Sequence, residues 1–327
     1  MNARSRLVKT RLVKRSAVAL AAVLATAVSA GCAAQPDAHP AATATARVAV
    51  HAVVHAAVAA RGAAAACNPE AASLAPLGPP QVTAGSFMAK IRARGYLIAG
   101  VDQSTYHFGY LNPLDGQIEG FDIDMIKAVA AAIFGSPGHV VYKAISDAQR
   151  IPDILNGTVD IVAHTMTITC ARLQQVDFSS VYFEAHQRVL VLKSSTADGL
   201  ADLSGQKVCA TSGSDSVTLI THYHAIPVTV PYWTDCLVLL QQDQVAAIST
   251  DDSILDGLAA QDPFTKLVGP ELTQEPYGLA ISKQHQDFVR FVNAVLAKER
   301  ADGAWAASYR LWVSTRVPAP PPVAYAS

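Results

Sequence analysis

Two successive cycles of alternating apolar strands and helices constrain the fold of this chain more than any other feature. In the first cycle, residues 96–101 have the pattern of a buried strand, and residues 123–134 place apolar side chains at helical spacing. A similar cycle begins with the strand-like residues 207–210. Strands that alternate with helices form largely parallel sheets. The sequence therefore predicts an α/β fold.

The remaining segments continue this alternation. We expect strands at 139–142, 159–163, 226–230 and 245–249, and helices at 150–155, 234–242, 287–298 and 304–313. Two α/β units in one chain suggest two lobes. Ligands of such folds bind in the crevice outside the carboxyl ends of the strands. We therefore expect a cleft between two lobes, lined by polar residues that follow strands.

Residues 1–31 have the features of a secretory signal peptide. Six basic residues and no acidic residue precede an apolar run at 17–28, which is short for a membrane span. An N-terminal membrane anchor is the alternative interpretation. The run leads to Val28-Ser-Ala-Gly-Cys32, which resembles a bacterial lipobox with Ser29 where leucine is usual. We predict lipidation of Cys32, with simple secretion as the alternative.

Low-complexity segments flank the expected folded region. Residues 33–66 are mostly Ala, Val, His, Thr and Pro, which is typical of a flexible tether. The C-terminal segment 316–327 is proline-rich and is expected to be extended. With a lipid on Cys32, the tether would hold the protein at the outer face of the cell membrane.

Four cysteines remain when Cys32 is set aside, namely Cys67, Cys170, Cys209 and Cys236. An even number in an exported chain predicts disulfides, and three pairings are possible. We favour Cys209–Cys236, which would join a strand to the start of a helix. The second pair, Cys67–Cys170, would tie the start of the folded region to the first lobe. Since no CxxC pair occurs, we expect no zinc site.

Three motifs resemble the family 3 extracellular solute-binding proteins of bacteria, the polar amino acid receptors of ABC importers. They are Gly120-Phe-Asp-Ile-Asp124, Thr167-Ile-Thr-Cys-Ala-Arg172 followed by Val176-Asp-Phe-Ser179, and Asp202-Leu-Ser-Gly-Gln-Lys-Val208. They stand in consistent order over residues 86–315. The resemblance implies a two-lobed periplasmic-binding-protein-like fold of type II, with the ligand cleft between the lobes.

The lobes of such a fold are joined by a hinge of two segments. The resemblance implies that lobe 1 comprises residues 67–187 and 277–315, and that lobe 2 comprises residues 188–276. The hinge segments are expected near 187–193 and 275–279.

The resemblance also implies a site for the α-carboxylate of an amino acid in lobe 1. Arg172 would bind it, because the planar and always charged guanidinium suits a carboxylate. The hydroxyls of Thr167 and Thr169 would donate beside it. A surface ion pair is the alternative role for Arg172.

In lobe 2, Ser214 and Asp251 are expected to complete the site. Ser214 would open a helix whose free N–H groups offer a second carboxylate site. Asp251 would bind the ammonium group, with Asp252 in that role if the register differs by one residue. Ordinary helix capping is the alternative for each of them.

The side chain of the ligand would meet other residues of lobe 1. Tyr106 and Phe108 are candidates to pack on its aliphatic part, with core packing as the alternative for Phe108. Residues 146–152 resemble the glutamate/aspartate-binding branch, in which the arginine before Ile-Pro meets a distal carboxylate. Arg150 would then favour glutamate or aspartate, although an amide oxygen of glutamine or asparagine also accepts from it. His164 would either face the ligand or serve a structural role.

These features predict a binding protein that delivers a polar amino acid to the membrane permease of an ABC importer. A sensory lipoprotein that signals to a membrane receptor or kinase is the alternative. An enzyme of the dehydratase type, with Glu184 and Asp251 as acid and base, is a weaker alternative, because the sequence shows no nucleophile–base set, metal cluster or Gly-rich phosphate loop. We expect no cofactor and no bound metal. A net charge of −1, with charged residues spread along the mature chain, argues against a nucleic acid partner.

Overall fold

The computed structural model describes residues 67–326. The predicted signal peptide, Cys32 and the tether lie outside these described residues. Strands of the described part are β1 (Leu97–Val101), β2 (Ser104–Thr105), β3 (Gly109–Leu111), β4 (Ile118–Glu119), β5 (Val140–Ala144), β6 (Ile161–Ala163), β7 (Asp177–Phe178), β8 (Phe183–Leu192), β9 (Lys207–Thr211), β10 (Ile226–Val230), β11 (Ala247–Asp251), β12 (Thr265–Val268), β13 (Gln274–Tyr277) and β14 (Ala280–Ile281).

The helices follow the same alternation. They are α1 (Phe87–Arg94), α2 (Phe121–Phe134), α3 (Arg150–Leu155), α4 (Cys170–Leu173), α5 (Ser216–His222), α6 (Trp233–Gln241), α7 (Asp252–Gln261), α8 (Gln286–Ala301) and α9 (Ala304–Trp312). No helix in residues 67–326 is long and apolar enough to cross a membrane.

The first sheet has the strand order β5-β1-β6-β14-β7. Strands β5, β1 and β6 are parallel, whereas β14 runs antiparallel to both β6 and β7. Phe121 and Val129 of α2 and Phe288 and Val292 of α8 are buried in the core beside this sheet. Burial under helices explains why the central strands β1 and β6 consist of apolar residues.

The second sheet has the order β10-β9-β11-β8-β12 and a separate hydrophobic core. Strands β10, β9 and β11 are parallel, and β8 is antiparallel to β11 and β12. Trp233 and Leu237 of α6 and Leu255 of α7 fill this core. Two sheets with separate cores confirm the predicted two-lobed α/β fold.

Strands β8 and β13 connect the two lobes. The first part of β8 pairs with β13, from Phe183 opposite Tyr277 to His186 opposite Gln274. From Gln187 onward β8 pairs with β11 and belongs to the second sheet. The part of β8 that pairs with β13 ends just before the expected hinge segment at 187–193, and β13 overlaps the expected segment at 275–279.

Both favoured disulfides are present. Cys67 is bonded to Cys170 with Cα atoms 6.0 Å apart, and Cys209 is bonded to Cys236 with Cα atoms 5.5 Å apart. The second bond ties β9 to α6 inside the core of the second sheet. The structure thus confirms this pairing among the three that are possible.

Candidate functional site

A narrow cavity of about 10 Å³ lies between the two lobes. Its lining residues are Asp147, Arg150, Thr165, Ser214, Asp215, Trp233, Thr250, Asp251 and Ile254. Most of them follow or end the parallel strands β5, β6, β9 and β11. They meet here because the carboxyl ends of parallel strands share one edge of each sheet, and those edges face each other across the cleft.

Arg150 is a buried cation of the first lobe. Its Nε donates to the carbonyl of Asp147 (3.1 Å), and its Nη1 donates to the carbonyl of His164 (3.1 Å). Nη1 also lies 2.8 Å from the Asp147 carboxylate. The guanidinium is therefore held in place by the first lobe before any ligand binds.

Asp147 is the carboxylate that faces Arg150. Its other oxygen accepts a hydrogen bond from the hydroxyl of Thr211 in the second lobe. Burial opposes ionisation, but the Arg150 guanidinium and the Thr211 hydroxyl outweigh burial and hold the pKa of Asp147 below its ordinary value. Asp147 is therefore ionised, and it links the two lobes.

Arg172 lies beside the cavity and is mostly buried. It donates to the carbonyl of Thr167 (2.7 Å), and its guanidinium is 3.4 Å from the Asp215 carboxylate of the second lobe. The carbonyl oxygen of Gly213 also accepts from both guanidiniums, from Arg172 at 3.4 Å and from Arg150 at 3.3 Å. The two predicted arginines thus converge on one loop of the second lobe.

Asp251 ends β11 and lines the cavity. It occupies the N-cap position of α7 but makes no side-chain capping bond, and its carboxylate accepts from the Tyr277 hydroxyl (2.5 Å) instead. Burial first, and then the nearby carboxylate of Glu275, raise the pKa of Asp251 well above its ordinary value. A cation bound in the cavity would restore the charged form of this group.

Asp252 has a different position. Its carboxylate accepts from the backbone N–H groups of Ser253 (2.8 Å) and His186 (3.1 Å). Asp252 does not line the cavity, whereas Asp251 does.

Ser214 lines the cavity, but the predicted start of its helix is wrong. Helix α5 begins at Ser216 with Asp215 at the N-cap position. The N–H of Ser214 bonds to the carbonyl of Thr211 (3.3 Å), and its hydroxyl donates to the same carbonyl (2.9 Å). A tight turn after β9 uses these groups, so the helix start is displaced by two residues.

Thr167 and Thr169 line a neighbouring groove of about 380 Å³ and not the cavity. The hydroxyl of Thr169 caps α4 by accepting from the N–H of Arg172 (3.2 Å). Asp215 lines both the groove and the cavity. Thr169 therefore positions the backbone of Arg172 through its hydroxyl, and Thr167 positions the guanidinium through its carbonyl.

The aromatic candidates lie outside the cavity. Phe108 is buried in an aromatic cluster, with its ring centroid 4.9 Å from that of Phe183 and 6.1 Å from that of Tyr277. Tyr106 is partly exposed and lines a separate groove with Tyr232 and Gln261 of the second lobe. Packing of the β2–β3 hairpin against both lobes carries these side chains away from the cavity wall.

His164 is buried behind Asp147. Its Nε2 donates to the carbonyl of Ile145 (2.9 Å), and its Nδ1 is 3.5 Å from the Asp147 carboxylate. Asp147 lines the cavity and His164 does not. This position corresponds to the structural role that we gave as the alternative for His164.

The sequence reasoning did not single out Asp147 and Asp215. Asp147 precedes Arg150 by three residues, a spacing that places both on one helical face, and Asp215 follows Ser214 directly. The spacing of Asp147 and the position of Asp215 are both visible in the sequence. Neither feature indicates which cation the carboxylate of Asp147 or Asp215 would contact.

A buried cleft between two α/β lobes, with Arg150 and three aspartates in its walls and Arg172 beside it, defines a protein that captures a small polar solute. The chain belongs to the bacterial extracellular solute-binding proteins, family 3, whose family model matches residues 97–315. This confirms the resemblance that the three motifs carried.

Individual relatives agree with this membership. The chain is 37% identical over 229 residues to the ABC transporter glutamine-binding protein GlnH of Bacillus subtilis, covering 69% of this chain and 84% of that protein. It is 29% identical over 233 residues to the glutamate-binding protein GluB of Corynebacterium glutamicum, covering 67% and 78%. The structure of an ancestral arginine-binding protein bound to glutamine shares 32% identity at a TM-score of 0.63, covering 67% of this chain and 98% of that one.

Proposed function

We propose that this protein captures a polar amino acid outside the cytoplasm and delivers it to the membrane permease of an ABC importer. The observation that carries the proposal is the pairing of opposite charges across one buried cleft. Arg172 of the first lobe suits an α-carboxylate, and Asp251 of the second lobe suits an ammonium group. The names of the relatives, glutamine-binding and glutamate-binding proteins, support the same class of ligand.

Lobe closure is the proposed mechanism. An open form would load the amino acid on Arg172, and Ser214 and Asp251 would engage it as the second lobe approaches. The ligand would thereby shift a pre-existing equilibrium toward the closed form. The hinge would be the paired segments of β8 and β13, with lobe 1 at residues 67–187 and 277–315 and lobe 2 at 188–276.

The proposed location follows from the N-terminal sequence. Cleavage before Cys32 and lipidation of that cysteine would anchor the protein to the outer face of the membrane. Residues 33–66 would then give the binding lobes the reach to meet the permease.

We propose a binding and not a catalytic role. Glu184 pairs with Pro276 in the connecting strands and does not line the cavity, whereas Asp251 does. The two carboxyl groups considered as acid and base therefore do not share a site.

A thermal-shift screen of the purified protein against the twenty amino acids tests the proposal. A ligand at one hundred times its dissociation constant adds about 2.7 kcal/mol of stability, which gives a clear rise in Tm. Arg172→Ala should weaken every ligand that binds by about 30-fold or more, because it removes one partner of a buried charge pair.

Arg188→Ala is the matched control for this test. Arg188 also donates to a backbone carbonyl, that of Gly269, but it lies away from the cavity. Its loss should leave ligand affinity unchanged. No response to any amino acid, or equal affinity in the Arg172→Ala variant, would contradict the proposed function.

A further inference from the structure

The donors of Arg150 are almost fully committed within the protein. Its three nitrogens donate to the backbone carbonyls of Asp147, His164 and Gly213. Nη1 in addition forms the ion pair with Asp147 at 2.8 Å. A guanidinium has five N–H groups, and four of these have acceptors within residues 67–326, which leaves one on Nη2 for a ligand. One free N–H serves a carbonyl oxygen, but it does not provide the fork of two parallel bonds that a carboxylate prefers.

The charge of Arg150 is also balanced before a ligand arrives. Asp147 lies against it, and both side chains are almost completely buried. Asp147 also lines the cavity, together with the carboxylates of Asp215 and Asp251. A ligand with a second carboxylate would therefore place a negative charge beside Asp147 without meeting a free cation. Such an arrangement opposes binding, since a buried charge without a partner is unfavourable.

A terminal carboxamide fits the same pair of side chains. Its oxygen accepts one hydrogen bond and its NH₂ group donates two. The free N–H of Arg150 would meet the oxygen, and the Asp147 carboxylate would accept from the NH₂ group. Both partners on the protein are satisfied in this way, and no net charge enters the cavity.

We infer that Asp147 and Arg150 act together as a recognition site for a carboxamide, so that this protein selects glutamine or asparagine over glutamate and aspartate. The inference rests on the proposed function and specifies the side chain of the ligand. It changes the role expected for Arg150 by itself, which was to bind a distal carboxylate. Asp147 becomes the residue that determines specificity.

Isothermal titration of the wild-type protein with glutamine, asparagine, glutamate, aspartate and arginine tests the inference. We expect glutamine or asparagine to bind at least ten-fold more tightly than its acidic counterpart. Asp147→Asn removes the negative charge at nearly constant shape. It should tighten the binding of glutamate or aspartate, and so reduce the preference for the amide over the acid by ten-fold or more. Asp147→Ser removes the same charge with a smaller side chain, and replaces the Asn variant in this measurement if the Asn variant does not fold.

Asp262→Asn is the matched control. Asp262 is a buried carboxylate of the second lobe that accepts from the Gln241 amide (3.0 Å) and does not line the cavity. This variant should keep the wild-type ratio.

The outcomes separate the inference from the proposed function. Tighter binding of an acidic amino acid or of arginine by the wild type, or an unchanged ratio in a folded Asp147 variant, overturns the carboxamide inference alone. Absence of binding for all five amino acids overturns the proposed function as well.

Discussion

Asp122 is a buried carboxyl group that holds one wall of the cavity in place. It accepts a hydrogen bond from the Tyr182 hydroxyl (2.5 Å) and another from the N–H of Thr165 (2.7 Å). Thr165 lines the cavity and has a left-handed backbone conformation (φ 40°), which is unfavourable for a β-branched residue. The hydrogen bond that the Thr165 N–H donates to Asp122 stabilises this conformation and thereby the loop that leads to Arg172.

The ionisation of Asp122 should make stability depend on pH. Burial raises its pKa to about 6, although the bonds from Tyr182 and Thr165 act in the opposite direction. The folded state therefore binds more protons than the unfolded state between about pH 4 and pH 6, so stability falls as pH rises through this range. The size of the shift corresponds to about 3 kcal/mol.

Asp122→Asn isolates this contribution. The free energy of unfolding of the wild type minus that of the variant should decrease by about 2.5 kcal/mol between pH 4 and pH 7. Urea denaturation at four pH values measures it. A difference that does not vary with pH would show that Asp122 titrates normally in the folded protein.

At the scale of elements, the bond between Cys209 and Cys236 joins β9 to α6. Cys236 lies on the buried face of α6 with Trp233, Leu237 and Leu240, at the spacing of an amphipathic helix. The loop after β9 carries Ser214 and Asp215 to the cavity. Stability of this strand–helix unit therefore supports the cavity wall of the second lobe.

Replacing both cysteines with alanine should destabilise the protein by about 3.5 kcal/mol, because a closed loop of this length restricts the unfolded chain. The bonded residues are 27 positions apart. Urea denaturation of the double variant, with the Cys67–Cys170 bond verified by mass spectrometry, measures the loss. A loss below about 1 kcal/mol would contradict the expected effect.

At the scale of the whole molecule, close approach of the two lobes depends on small residues at their contacts. Gly257 of α7 faces the β2–β3 hairpin, and a Cβ atom there would lie 2.7 Å from the carbonyl oxygen of Tyr106. Gly213 would meet the backbone of Ala148 at the same distance. Any side chain at either position requires the lobes to separate.

Gly257→Ala should therefore weaken ligand binding by about ten-fold while leaving the ligand-free protein as stable or more stable. The loss arises from overpacking in the closed form, and the gain arises from the higher helix propensity of alanine. Calorimetric titration and thermal unfolding without ligand measure the two effects.

Gly138→Ala is the control for that variant, because a Cβ atom at Gly138 has no neighbour within 4 Å. It should leave affinity unchanged. Equal affinity in the Gly257→Ala variant and the wild type would show that closure does not bring α7 against the hairpin.

The sequence by itself determined the α/β class, the two lobes, the family and the favoured cysteine pairing. Periodicity is a local property, and it shows which residues follow a strand. Arg150 and Asp251 were predicted from the resemblance to the family and Ser214 from an expected helix start, and all three line the cavity.

Only the tertiary structure decided which charges meet. Asp147 and Asp215 stand in the sequence beside predicted site residues, but their partners are set by the approach of one lobe to the other. The same approach places Thr167 and Thr169 in a neighbouring groove and Phe108 in the aromatic core. Side-chain pairing across a cleft depends on contacts between residues far apart in the chain, which no local pattern encodes.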